Sequence, residues 1–114
     1  MNRSEIWYVN LDPTVGAEQK KTRRVVIVSN DTIGKLPLKV IVPITEWKDH
    51  YAGVPWMVKI VPDRFNRLDK VSAADSFQVR SVSIERFGDH AEGYLVKDYM
   101  DQIIEAVATV ISEF

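Results

Sequence analysis

The sequence predicts a mainly β fold with α elements (α+β): a small barrel-like sheet with one long α-helix at the C-terminal end. Three observations carry this reading. Short apolar runs rich in β-branched and aromatic residues recur from Glu5 to Arg80, each cut by a turn residue. No helical periodicity separates the early runs, which argues against a βαβ sheet. Apolar residues return at three- and four-residue spacing only near the end, in Met100, Ile103, Ile104, Val107, Ile111 and Phe114. With 114 residues, 46% of them apolar, a single domain over residues 1–114 with one core is expected.

Taken in order, the run Glu5-Ile-Trp-Tyr-Val-Asn-Leu11 is the first strand, stopped by the turn signal Asp12-Pro13. Arg24-Val-Val-Ile-Val-Ser29 is continuously β-branched, the pattern of a strand buried on both faces, and it ends at Asn30-Asp31. Lys39-Val-Ile-Val-Pro-Ile-Thr45 repeats that character, but Pro43 removes a ladder donor, so an edge or a bulge is expected there. Trp56–Val61 and Phe77–Arg80 alternate with period two, the second placing Gln78 and Arg80 on one face. A helical turn around Ser83–Arg86 follows. For the C-terminal helix, Asp98 is the expected N-cap, and Asp101 adds negative charge to the first turn.

Composition removes several function classes. The chain has no cysteine, which excludes a disulfide scaffold, thiolate metal sites and a thiol nucleophile. The opening MNRSEIWY has no apolar stretch, so no secretory leader is expected. Apolar runs such as Val25–Val28 and Val40–Ile44 fall far short of the ~18 residues of a membrane span. A soluble, cytoplasmic domain without a membrane partner is the expectation. His50 and His90 stand alone in polar loops with no HExxH and no paired carboxylate loop, so neither a metal nor a cofactor is expected. A solitary loop histidine such as His50 is more often a surface residue than a general base. There is also no GxSxG, P-loop or GxGxxG motif.

The formal net charge of −1 hides a division. Residues 1–88 carry 14 Lys and Arg against 10 Asp and Glu, whereas residues 89–114 hold one lysine against six acids. The basic excess concentrates in Gly16-Ala-Glu-Gln-Lys-Lys-Thr-Arg-Arg24, where four of the last five residues are cationic just before a buried strand. Anchored by that strand, Arg23 is suited to present its planar donor fork to a phosphate, with Glu18 near enough in sequence to orient or neutralise an arginine. A solvated charge run is the commoner fate of such clusters.

Several segments, in order, resemble the MazF/PemK-type toxins. They are Ile6-Trp-Tyr-Val-Asn-Leu-Asp-Pro-Thr-Val-Gly16, Glu18, Lys21-Thr-Arg23 and Val25-Val-Ile-Val-Ser-Asn-Asp31, then Val42-Pro-Ile-Thr45, Gln78-Val-Arg80 and Ser83-Ile-Glu-Arg86-Phe87. The resemblance implies a CcdB/PemK-type barrel related to SH3 barrels, a homodimer, sequence-selective cleavage of single-stranded RNA and neutralisation by a cognate antitoxin. The same fold family includes toxins that bind DNA gyrase and cut nothing, and a catalytically inactive RNA-binding relative is a further alternative. Carried over by position, the catalytic arginine corresponds to Arg23, the catalytic threonine to Thr45 and the loop acid to Glu18. Gln19, Lys20, Lys21, Arg24, Gln78 and Arg80 are the expected RNA contacts. One departure stands out: such toxins usually have proline after the catalytic arginine, where this chain has Arg24, so Arg23 loses a neighbour that favours extended geometry.

The implied chemistry is physically coherent. RNA carries its own nucleophile, the 2′-hydroxyl, so the protein must align it and stabilise charge on a five-coordinate phosphorus. A guanidinium stays protonated and suits that electrostatic role; a carboxylate is the better base by type, and Glu18 either accepts the proton or holds Arg23. Thr45 has a hydroxyl to donate to a phosphate oxygen. Arg86 is expected to be structural, paired with an acid near its turn. Of the tryptophans, Trp7 is expected to pack inside its strand, and Trp47, beside Thr45, is the candidate for stacking on a base.

Overall fold

A computed structural model describes residues 1–113. The apolar runs form strands β1 (Glu5–Asn10), β2 (Thr22–Ile27), β3 (Leu38–Glu46), β4 (Met57–Ile60), β5 (Ser72–Asp75), β6 (Arg80–Ser83) and β7 (Phe87–Tyr94), followed by helix α1 (Lys97–Ile111). Single 3-10 turns lie at Asp49–Tyr51, Ser76–Gln78 and Ile84–Arg86. All pairings are antiparallel, in the order β4-β5-β3-β2-β1-β7, with β6 also on β3. The end strands β4 and β7 are not neighbours in this order, so the barrel is left half open, and α1 packs against β4 and the Ser76–Gln78 turn. No helix among the described residues is long and apolar enough to cross a membrane.

β3 organises the sheet because it is long enough to serve three neighbours. Leu38–Ile41 pair with β6, Ile41–Pro43 with β2, and Ile44–Glu46 with β5. Pro43 is therefore in a central strand rather than at an edge. It is the last rung opposite β2, at Val25, and on its other side falls between the stretches that pair β6 and β5.

Alternation sends β1, β2 and β3 side chains to two cores. Ile6, Val26, Val42 and Ile44 meet β4, β5 and the helix residues Met100, Ile103 and Ala106. On the other face Trp7, Val9, Val25, Ile27 and Ile41 pack with Leu11, Val82 and Phe87. The run Val25-Val-Ile27 is fully buried, as its β-branched composition predicts. Trp7 packs as expected, edge-on to Phe87 at 5.8 Å.

The structure corrects further sequence expectations. Phe77–Arg80 is not a strand: Ser76–Gln78 is a 3-10 turn, and the strand starts at Arg80. The turn is held where the Ser76 N–H donates to the Trp56 carbonyl (3.0 Å) and Phe77 packs edge-on against the Trp56 ring at 5.2 Å. β5 and β7 escaped notice because Ser-Ala-Ala-Asp has no β-former and Phe-Gly-Asp-His-Ala-Glu-Gly-Tyr has them only at its two ends; partner strands, not propensity, extend them. The helix begins at Lys97 with Val96 at its N-cap and no side-chain cap, so Asp98 lies in the first turn and Asp101 pairs with Lys97 (2.6 Å). Its covered face runs through Tyr99, Met100, Ile103, Ala106 and Val107; Ile104 and Ile111 are exposed, and Phe114 lies outside the described residues.

Gly93 is where β7 passes closest to the chain beneath it. A Cβ there would sit 2.6 Å from the Asn66 carbonyl oxygen and 2.7 Å from that of Phe65. Both are backbone atoms, fixed in part by the bond from the Tyr94 N–H to the Phe65 carbonyl. Gly93→Ala is expected to cost about 1–3 kcal/mol, the usual range for overpacking. Denaturant unfolding checks this; an unchanged midpoint would contradict it.

Candidate active site

The site begins with how the chain enters β2. Lys21 has a left-handed backbone (φ 67°), an uncommon geometry outside glycine. Its N–H donates to Asp12 Oδ1 (3.0 Å), and its carbonyl accepts from the Leu11 N–H (3.0 Å). Arg86 Nη1 closes the other side of this loop by donating to the carbonyls of Asn10 (3.0 Å) and Asp12 (2.6 Å). Arg86 is thus structural, as expected, but its partners are backbone carbonyls rather than an acid.

From that clamp the strand register does the positioning. Val25 stands opposite Pro43, so Arg24 and Arg23 run alongside Ile44 and Thr45 just beyond the ladder. They line a cleft of about 280 Å³ together with Tyr8, Asp69 and Lys70. Arg23 is half-buried, and its Nε donates to the Lys20 carbonyl at 2.9 Å. That bond fixes the side chain while no carboxylate pairs with it among the described residues. Thr45 is half-buried beside it, opposite Ala73 in the ladder.

Arg24 is committed differently. Its Nη1 lies 3.2 Å from Asp69 Oδ1, and its guanidinium carbon sits 5.3 Å from the Tyr8 ring centroid. The Asp69 carboxyl is held below its ordinary value of 3.8, first by its own backbone N–H and then by the charge of Arg24.

A second cleft of about 550 Å³ contains Glu18, Gln19, Gln78 and Arg80, with Leu11 and Phe77 as apolar walls. Glu18 Oε1 accepts from the Val15 N–H at 2.5 Å, so its carboxylate caps its own loop and makes no bond to Arg23. Gln78 clasps that loop to the body. Its Oε1 accepts from the Gln19 N–H (2.6 Å), and its Nε2 donates to Asp75 Oδ2 (3.1 Å) and the Ala17 carbonyl (3.4 Å). Asp75 is buried with one oxygen unpartnered; the other, which only accepts, sets which way the Gln78 amide faces.

The structure therefore gathers Arg23, Arg24 and Thr45 in one cleft and Glu18, Gln19, Gln78 and Arg80 in the next, with Lys20 and Lys21 exposed on the loop between. Sequence reasoning missed Tyr8, Asp69, Lys70 and Asp75. The last three lie in or beside β5, the strand the composition concealed. The Trp47 ring is part-covered, with Lys59 Nζ 5.1 Å from its centroid and Tyr51 packed edge-on. No group of three His, Asp or Glu side chains among the described residues is arranged to hold a metal ion.

Chemically, the first cleft offers a guanidinium fork and a hydroxyl at one point, the donor set for a phosphodiester in attack by a neighbouring oxygen. Gln78→Ala is expected to release the loop. Loss of a net hydrogen bond of about 1 kcal/mol speeds exchange of the Gln19 amide about fivefold, while the β2 core amides stay protected. Hydrogen exchange followed by NMR reads both; unchanged Gln19 protection would contradict the clasp.

Comparison with known proteins agrees with this architecture. A family model described as "PemK-like, MazF-like toxin of type II toxin-antitoxin system" matches residues 2–111. The "Endoribonuclease MazF" of Staphylococcus saprophyticus is 31% identical over 107 residues, spanning 94% of this chain and 88% of that protein. The crystal structure of a MazF from Deinococcus radiodurans superposes with a TM-score of 0.79 at 17% identity, covering 97% of this chain and 96% of the other. A mycobacterial endoribonuclease solved with its cognate antitoxin gives 0.75 at 18% identity, covering 97% and 94%. At such identities the two structures speak for the fold.

Proposed function

The chain belongs to the PemK-like, MazF-like toxins of type II toxin–antitoxin systems, and from that premise we propose that it is a cytoplasmic, metal-independent endoribonuclease that cuts single-stranded RNA as a single toxin domain. The observation that carries this reading is the pairing of Arg23 and Thr45 in one cleft, with the Arg23 guanidinium held through Nε and free of any acidic partner among the described residues. A 31%-identical relative named as an endoribonuclease supports it.

In this mechanism the 2′-hydroxyl of the RNA attacks the adjacent phosphorus, and the 5′-oxygen of the next nucleotide leaves and takes a proton from solvent. Arg23 and the Thr45 hydroxyl stabilise the charge that builds on the non-bridging oxygens. Glu18 is the proposed proton acceptor. One of its oxygens is engaged by Val15 and the other has no partner among the described residues, on the loop that runs directly to Arg23. Lys20, Lys21 and Arg80 add positive charge along the path of the strand, and Gln19 and Gln78 border it.

Assembly as a homodimer belongs to the same reading. Leu38 and Ile84 are both exposed and are brought together by the Leu38–Ser83 pairing and the bond from the Ile84 N–H to the Pro37 carbonyl. An apolar pair on a basic, RNA-binding body suits burial against a second copy. The antitoxin would place an acidic or extended segment across the Lys20–Arg24 loop.

Three outcomes test the proposal. Arg23→Ala and Thr45→Ala should each lower the cleavage rate about 10²–10³-fold, the usual cost of one transition-state donor, with the circular dichroism spectrum unchanged. Wild-type rates in either variant would displace the site. Cutting should persist in excess EDTA and fail on an oligonucleotide with a single 2′-deoxyribose before the scissile phosphate; the reverse on either count would mean another mechanism. Light scattering at micromolar concentration should give the mass of two chains, and the mass of one would remove the dimer.

A further inference from the structure

We propose that Asp69 is a built-in competitor for RNA: its carboxylate occupies Arg24 in the empty cleft, and an RNA phosphate must displace it to gain a second guanidinium beside Arg23. The inference rests on the phosphodiester reading of that cleft, in which Arg24 is already an expected RNA contact, and adds to it one residue, Asp69, that gates.

Four observations converge. Arg24 and Asp69 both line the cleft that holds Arg23 and Thr45, so their ion pair stands where a strand of RNA would pass. The pair is single-pronged, Nη1 to Oδ1 at 3.2 Å, which leaves most of the five guanidinium donors unengaged by the carboxylate. The Arg24 side chain is largely covered at 28% exposure while that of Asp69 is 70% exposed, so the arginine is the fixed partner and the acid the removable one. Tyr8 supplies a second contact: the guanidinium carbon lies over its ring, 5.3 Å from the centroid, on a surface that does not involve Asp69.

The exchange is favourable on general grounds. An exposed, monodentate carboxylate pair contributes little in water. A phosphodiester can take two parallel N–H···O bonds from the same fork, and it arrives with neighbouring phosphates that engage Lys70 and the basic loop. Asp69 thereby sets how much RNA is needed to open the cleft. It acts on Arg24 and not on the reacting atoms, so it is a positioning residue for binding rather than a catalytic one.

The test is a binding cycle that does not need cleavage. Wild type, Asp69→Asn, Arg24→Ala and the double variant are titrated with a fluorescent single-stranded 2′-O-methyl oligonucleotide, which lacks the nucleophile, across a range of salt. Asp69→Asn should bind about fivefold tighter than wild type. Arg24→Ala should bind more weakly, with a salt slope smaller by about one phosphate contact. In the Arg24→Ala background, Asp69→Asn should change nothing. In cleavage of ordinary RNA, Asp69→Asn should lower KM with kcat within twofold.

Equal tightening by Asp69→Asn with and without Arg24 would reduce the effect to general charge and overturn the gate. So would unchanged or weaker binding by Asp69→Asn, or no binding by the wild type. A protein that obeys the cycle but never cuts RNA would refute the ribonuclease reading and leave the gate standing. One that cuts RNA while the cycle is flat would do the opposite.

Discussion

The β2–β3 ladder is buried on both faces, and the site depends on its register. Val25, Val26 and Ile27 stand opposite Pro43, Val42 and Ile41, with Val42 and Val26 in one core and Val25, Ile27 and Ile41 in the other. A slip of one residue would turn each of these side chains to the wrong core. The same registration sets Arg23 and Thr45 beside each other at the open end of the ladder, where the strands have stopped pairing and their side chains reach solvent. Precision at the cleft is therefore inherited from packing a few residues away, not from contacts between the two proposed site residues.

A second layer of order comes from the loop that precedes β2. Two polar clamps hold it. Where its two ends meet, Arg86 binds the Asn10 and Asp12 carbonyls and Asp12 binds the N–H of the left-handed Lys21, and at its middle Gln78 bonds Gln19 and Ala17. The second clamp is anchored by a buried carboxylate with an unpartnered oxygen, an arrangement that costs stability unless it secures something else. What it secures is the fixed presentation of Glu18 and Gln19. The basic loop is thus a shaped surface, while its charge, carried by Lys20 and Lys21, faces solvent.

Much of this was legible in the sequence because it rests on local signals. β1 to β4 announce themselves by β-branched and aromatic runs, and α1 by its apolar stripe. The family's residue order placed Arg23 and Thr45 on adjacent strand ends, where the structure finds them. The rest was hidden for a shared reason. Ser72–Asp75 and Phe87–Tyr94 become strands only because a neighbour supplies the hydrogen bonds, and Asp69, Lys70 and Asp75 take their meaning from that pairing. Gln78 looked like a strand residue facing RNA because period two continued through it; a turn held by Trp56 and Asp75 redirects its amide to the loop. Arg24, conspicuous in sequence as a departure from proline, proves to be the arginine that is already paired.

On the proposed mechanism a guanidinium and a hydroxyl on neighbouring strand ends, with a carboxylate as base, cut the strand without water as nucleophile because RNA brings its own. Mass spectrometry of the cut ends tests it most directly. Attack by the 2′-hydroxyl leaves a 2′,3′-cyclic phosphate on one fragment and a 5′-hydroxyl on the other, and that pair of ends is the expected result. Fragments ending in a free 3′-hydroxyl and a 5′-phosphate would mean that water, not the ribose, attacks the phosphorus, and would contradict the assignment of the cleft.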